Sequence, residues 1–201
     1  MLTVTFVACI NAAPQKEHFQ IRGLLGELDS FSESADGCSG TGYGISVAQN
    51  ATHDEPGGPV TSAVVSFQLI SVNFCTGDLV SLDVGNSDTA VVSGSLQKGI
   101  HATASVSGSV SINGGPPTPV TGNLDLIFTP TSKPQRGHSV SNSVSGSEVM
   151  HFRTVSNSSD ASVSGTLNVD GTDYLTAILA AKEVFASVEN IDSATLDIFK
   201  K

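Results

Sequence analysis

Between residues 100 and 112 the chain alternates with a period of two. Ile100, Ala102, Ala104, Val106, Val110 and Ile112 hold one parity, and His101, Thr103, Ser105, Ser107, Ser109 and Ser111 hold the other. Successive side chains of a strand point to opposite faces, so this segment reads as a half-buried strand with one apolar and one hydroxylated face. The turn chemistry of Asn113-Gly114-Gly115-Pro116-Pro117 follows, and Val120, Leu124, Leu126 and Phe128 resume the alternation. A β-hairpin is predicted over 100–128.

The same period recurs along the chain. Val80, Leu82 and Val84 lead to a turn at 85–88, and Ala90, Val92 and Leu96 follow it. Val163, Leu167 and Val169 lead to Asp170-Gly171. Val140, Val144, Met150 and Phe152 mark a further strand with a bulge expected near Gly146. In 60–75 the apolar parity changes after Leu69, which predicts a bulge or burial on both faces. Residues 14–37 read as a short helical turn or an irregular leader, and 130–139 as a surface loop. Tyr174–Val188 has helical composition, but the alternation of Val184, Ala186 and Val188 favours strand. Nine or ten short strands with regular turns predict an all-β fold, an antiparallel sandwich or barrel. No linker divides the 201 residues, so 14–201 is expected to be one domain.

Charge excludes some functions. Nine Lys+Arg against 19 Asp+Glu give a formal net charge of −10, which repels the phosphate backbone and leaves nucleic-acid binding without its main driving force. Leu2–Ala13 is apolar but too short to span a bilayer as a helix. It has the form of the back half of a secretory signal without its basic start, so 1–13 is expected to be a truncated signal segment. Phe6-Val7-Ala8-Cys9 resembles a lipoprotein cleavage box, and a first strand over 2–8 is the competing reading. With Cys9 in such a leader, Cys38 and Cys75 remain as an even pair. That favours a disulfide in an oxidising compartment over two buried thiols.

The segment from Cys38 to Gly77 is similar to one seen in uncharacterised secreted β-rich bacterial proteins of unknown function. The features that carry the likeness are Cys38, the strand at 45–48, the polar loop 52–59 and Val72-Asn73-Phe74-Cys75-Thr76-Gly77. It implies export and a β fold, and carries over no site residue.

Three groups are candidate sites. His53, Asp54 and Glu55 lie in a Pro/Gly-rich loop whose oxygens could hold Ca²⁺, although acids at alternate positions are lacking. Asp29, Glu33 and Asp36 form a second acidic cluster. His101, His138 and His151 could each serve as the base of a hydrolase, but the chain has no Gly-x-Ser-x-Gly elbow, and each reads more simply as an exposed residue on a hydroxyl face. Asn50-Ala51-Thr52 and Asn157-Ser158-Ser159 match the glycosylation sequon. No catalytic or cofactor-binding residue is assigned, and calcium is the one cofactor considered. The expectation is a secreted or cell-surface β domain that binds a protein or surface ligand, or builds structure. A secreted hydrolase with His53, His101 or His151 as its base, and a calcium-stabilised adhesion module using Asp54 and Glu55 or the 29–36 cluster, are the alternatives.

Overall fold

A computed structural model of the chain describes residues 15–52, 60–86, 88–145 and 148–200. The strands are β1 (Gln15–Glu33), β2 (Ser39–Thr52), β3 (Val60–Asn73), β4 (Leu79–Asn86), β5 (Val91–Ser95), β6 (Gly99–Ile112), β7 (Thr118–Pro130), β8 (Gln135–Ser145), β9 (Glu148–Val169), β10 (Thr172–Asp173) and β11 (Glu183–Lys200). One helix, α1 (Tyr174–Leu179), precedes the last strand. All pairings are antiparallel. Eight strands close a ring in the order β1-β2-β3-β4-β6-β7-β9-β11 and back to β1. The fold is therefore all-β, and of the two expected architectures it is the barrel.

Closure follows from the alternation. Each ring strand turns one apolar parity inward: Val65, Phe67 and Leu69 on β3, Ile100, Ala102, Ala104 and Val106 on β6, Leu124, Leu126 and Phe128 on β7. An eight-stranded barrel is just wide enough for such side chains to fill it. Phe67 and Phe128 are fully buried, and Gly26 of β1 lies under the Phe128 ring. Gly165 serves a different need. Its φ is +127°, and a Cβ there would meet the Asp125 carbonyl oxygen at 1.9 Å, so only glycine fits where β9 crosses close to β7.

Both ends of the barrel are stopped. At one end α1 buries Leu175 and Ile178 and sets Tyr174 against Phe67, with ring centroids 5.2 Å apart. Asp173 caps this helix, accepting from the Leu175 N–H at 3.1 Å and the Thr176 hydroxyl at 2.7 Å. At the other end β5 pairs with the start of β6 and buries Val92. Beyond β5 the strands run on. The first part of β1, residues 148–158 of β9 and residues 191–200 of β11 rise past the ring, and β8 joins the free edge of β9. The end of β2 and the start of β3 continue beside β1, so this rim has the order β8-β9-β11-β1-β2-β3.

Several expectations are corrected. Residues 15–33 are a 19-residue strand rather than a helical turn or leader. Leu24 and Leu28 belong to the inward parity that Gly26 completes, so the glycine hides the alternation. Tyr174–Leu179 is helix, where strand was expected, because the Asp173 cap starts a turn that the later Val184–Val188 alternation masks. β3 pairs with β2 without a register shift, so 60–75 has no bulge there; Ile70 and Phe74 are 55% and 63% exposed. The segment 135–145 is a strand, and Val140 and Met150 lie on two strands of a hairpin rather than one bulged strand. Residues 1–13 and His53, Asp54 and Glu55 lie outside the described residues.

Candidate ligand-facing rim

The disulfide joins Cys38 and Cys75, with Cα atoms 5.2 Å apart, and ties the β1–β2 turn to the β3–β4 turn at the end away from the rim. The Phe74 N–H donates to the Cys38 carbonyl at 2.7 Å beside it. Asp36 works in the same turn. It accepts from the Ser34 hydroxyl at 2.6 Å and the Cys38 N–H at 2.9 Å, and these bonds hold its pKa below the usual carboxylate value. The acidic cluster expected at Asp29, Glu33 and Asp36 is thus divided, with Asp29 and Glu33 on β1 and Asp36 in the turn after it. Asp29 instead neighbours Glu27 on the outer face of β1, where burial first, then the charges of Asp29 and Glu189, raise the Glu27 pKa. Among the described residues no three His, Cys, Asp or Glu side chains are grouped to hold a metal ion.

The histidines separate into two settings. His101 stands on the hydroxyl face of β6, with its Nε2 2.8 Å from Asp125 Oδ1. A shallow groove of about 460 Å³ beside this pair is lined by Thr89, Thr103, Ser105, Asn123, Asp125 and Thr166. No hydroxyl bonds the other ring nitrogen of His101 among the described residues, so the pair lacks the third member of a triad. His138 and His151 are not on a hydroxyl face. They lie on the rim, on the face opposite Ser139, Ser141 and Ser143.

The register defines that rim face. Asn142, His151, Asp197 and His18 are successive cross-strand partners from β8 to β1. With strands about 4.8 Å apart, the row is about 14 Å long. His18 Nδ1 lies 2.6 Å from Asp197 Oδ1, and His151 Nδ1 lies 2.6 Å from Asn142 Oδ1. The His151 ring meets Phe199 edge-on, with centroids 5.4 Å apart. The Arg153 Nε–H donates to His138 Nε2 at 3.2 Å. Parity along β9 and β1 makes this face continuous with the inside of the barrel: Arg153 shares the parity of Ser159 and Val163, and Arg22 that of Leu24 and Leu28.

The rim therefore gathers Arg22, Arg136 and Arg153, all the arginines of the chain, on one inward face with three of its five histidines. All three arginines are solvent-exposed, and those of β1 and β8 have no acceptor among the described residues. A hollow of about 390 Å³ opens between the β5–β6 turn, Pro134, Asn157, Asn190 and Asp192, and Asn157 is the cross-strand partner of Arg136. The Asp192 carboxylate there is already engaged by the side-chain amides of Asn157 and Asn190. Sequence reasoning named His138 and His151 but missed Arg22, Arg136 and Arg153. The available signal was the i, i+2 spacing of Arg136 with His138 and of His151 with Arg153, which puts each pair on one face of a strand.

No family model matches the chain, and no match is found among the curated proteins. Among solved structures, the chain is similar to a Nitrosomonas europaea protein provisionally assigned to AttH, with 14% identity and a TM-score of 0.30. The alignment covers 89% of this chain and 51% of that one, so the chain spans about half the length of the structure it matches. No helix among the described residues is long and apolar enough to cross a membrane.

Proposed function

We propose that the chain is a secreted or cell-surface binding domain whose ligand surface is the inward face of the rim, and that its ligand is anionic and carboxylate-bearing. The observation that carries this reading is the convergence of every arginine in a chain of net charge −10 on that one face. Guanidinium groups present a planar fork of donors that matches a carboxylate. Beyond a Debye length of about 8 Å at physiological salt, the acidic remainder of the molecule is largely screened. The disulfide supports an oxidising location. A barrel with a filled interior and both ends stopped leaves recognition to its surface.

The test is binding of immobilised carboxylated dextran against neutral dextran of the same length. Wild-type protein is expected to bind only the carboxylated polymer, and progressively less as salt rises. The triple variant R22Q/R136Q/R153Q is expected to lose that preference while keeping the wild-type melting temperature. Equal binding of both polymers, or an unchanged preference in the variant, would sink the proposal.

A further inference from the structure

We infer that β8 is a docking edge for an extended acidic polypeptide, which adds as a further strand to the rim. This inference rests on the anionic-ligand reading and makes its ligand specific. Among the described residues β8 pairs with β9 alone, so its other edge presents unpaired backbone N–H and C=O groups along an 11-residue strand. Every residue of β8 is solvent-exposed. Within the barrel, closure pairs the ring strands on both sides; past it, β3 leaves only residues 60–64 with a single partner, a shorter edge than that of β8.

Charge selects the occupant. No Asp or Glu occurs between Asp125 and Glu148, a stretch that holds Lys133 and Arg136. On the inward face of β8, Arg136 and His138 come first, then Val140, Asn142 and Val144, with Arg153 one strand behind. Val140 and Val144 are 59% and 73% exposed. A second copy of the chain fits less well, since it brings another net charge of −10 and a second set of the same cations to one sheet. An incoming strand gains main-chain hydrogen bonds from the edge and specificity from alternate side chains. Antiparallel addition, the more stable pairing, sets apolar residues opposite Val144 and Val140 near the start of the guest strand. Acidic residues then fall opposite His138 and Arg136 near its end.

The experiment uses the intact protein and capped synthetic peptides of about nine residues, a usual strand length. Their inward positions read, in order, Val, Thr, Val, Asp and Glu, with Thr between. Two further peptides carry backbone N-methyl groups on the odd or on the even positions. A guest strand turns one parity of N–H groups toward β8 and the other toward solvent. One methylated peptide is therefore expected to lose binding and the other to keep it, with exchange protection of β8 amides only when a peptide binds. Arg136→Gln is expected to weaken the unmethylated peptide by about tenfold, the loss of one charge-assisted hydrogen bond. Equal tolerance of both methylation patterns overturns strand addition, and if Arg136→Gln still weakens binding the anionic-ligand reading survives alone. Parity-dependent binding unaffected by Arg136→Gln keeps the edge and removes the acidic partner. Concentration-dependent dimerisation that protects β8 without any peptide overturns the inference in favour of a second copy.

Discussion

Replacing Gly26 with alanine sets two effects of opposite sign against each other. In the unfolded chain, alanine samples fewer conformations than glycine, and at a compatible backbone position this stabilises by about 0.4–1 kcal/mol. Gly26 is such a position, since its φ is not positive. In the folded barrel, however, the added Cβ would stand 3.0 Å from Val47 Cγ2 and 3.2 Å from two ring carbons of Phe128. Val47 and Phe128 are both 0% exposed, so neither has room to yield. Overpacking of a filled core costs about 1–3 kcal/mol, which outweighs the unfolded-state gain. A net destabilisation of about 1–2 kcal/mol follows, lowering Tm by roughly 2–8 °C for a chain of this size. Urea unfolding followed by circular dichroism measures it, with the m-value expected to stay constant. Phe128→Leu alone is also expected to destabilise, because it leaves a void. In the double variant the alanine methyl fills part of that void, so the combined cost falls short of the sum by about 0.5 kcal/mol or more. A higher Tm for Gly26→Ala, or strictly additive costs, would refute the filled-barrel reasoning.

Three further outcomes are expected. Replacing Cys38 and Cys75 together with serine opens a loop of 37 residues' separation, worth about 4 kcal/mol in the chain-entropy account, and Tm should fall by roughly 8–16 °C in calorimetry; an unchanged Tm would argue that the unfolded chain is already constrained there. Glu27 holds its proton to higher pH in the folded state than in the unfolded one, so native stability falls as pH rises from the ordinary 4.5 through the raised folded value. Glu27→Gln should therefore be more stable than wild type at neutral pH and match it at acid pH below 4.5, and parallel stability curves across pH would contradict this. Asp173→Ala removes the cap of α1 and should cost about 1 kcal/mol, with Asp173→Asn close to wild type in the same urea titration.

The strands that line the barrel were legible wherever large apolar residues held every second position, as in 100–128 and 163–169. Legibility failed where a small residue took an inward position. Gly26 broke the apolar parity of β1, and the charged residues of the opposite parity then looked like a leader. It failed again on the rim, where the inward face is polar. Along β9 the apolar parity changes from Val163, Leu167 and Val169 to Met150 and Phe152, because the upper half of the strand turns its apolar side outward. Nothing within that segment records the change, since parity has meaning only relative to a partner strand. Of the candidate site, His138 and His151 were visible singly. Their union with Arg22, His18 and Asp197 depends on pairings between strands more than 100 residues apart, such as β1 with β11.

β9 has 22 residues and belongs to two structures at once. Its second half is held between barrel strands and carries fully buried Leu167, while its first half stands beside β8, which buries nothing. Protection against hydrogen exchange should therefore grade along a single strand, from barrel amides that open only with global unfolding to rim amides that open locally. The rim can then fray and re-form as a separate cooperative unit while the barrel stays folded. A partner that captures it would register as slowed exchange in β8 and in residues 148–158 of β9 behind it, with the melting temperature of the whole molecule hardly moved.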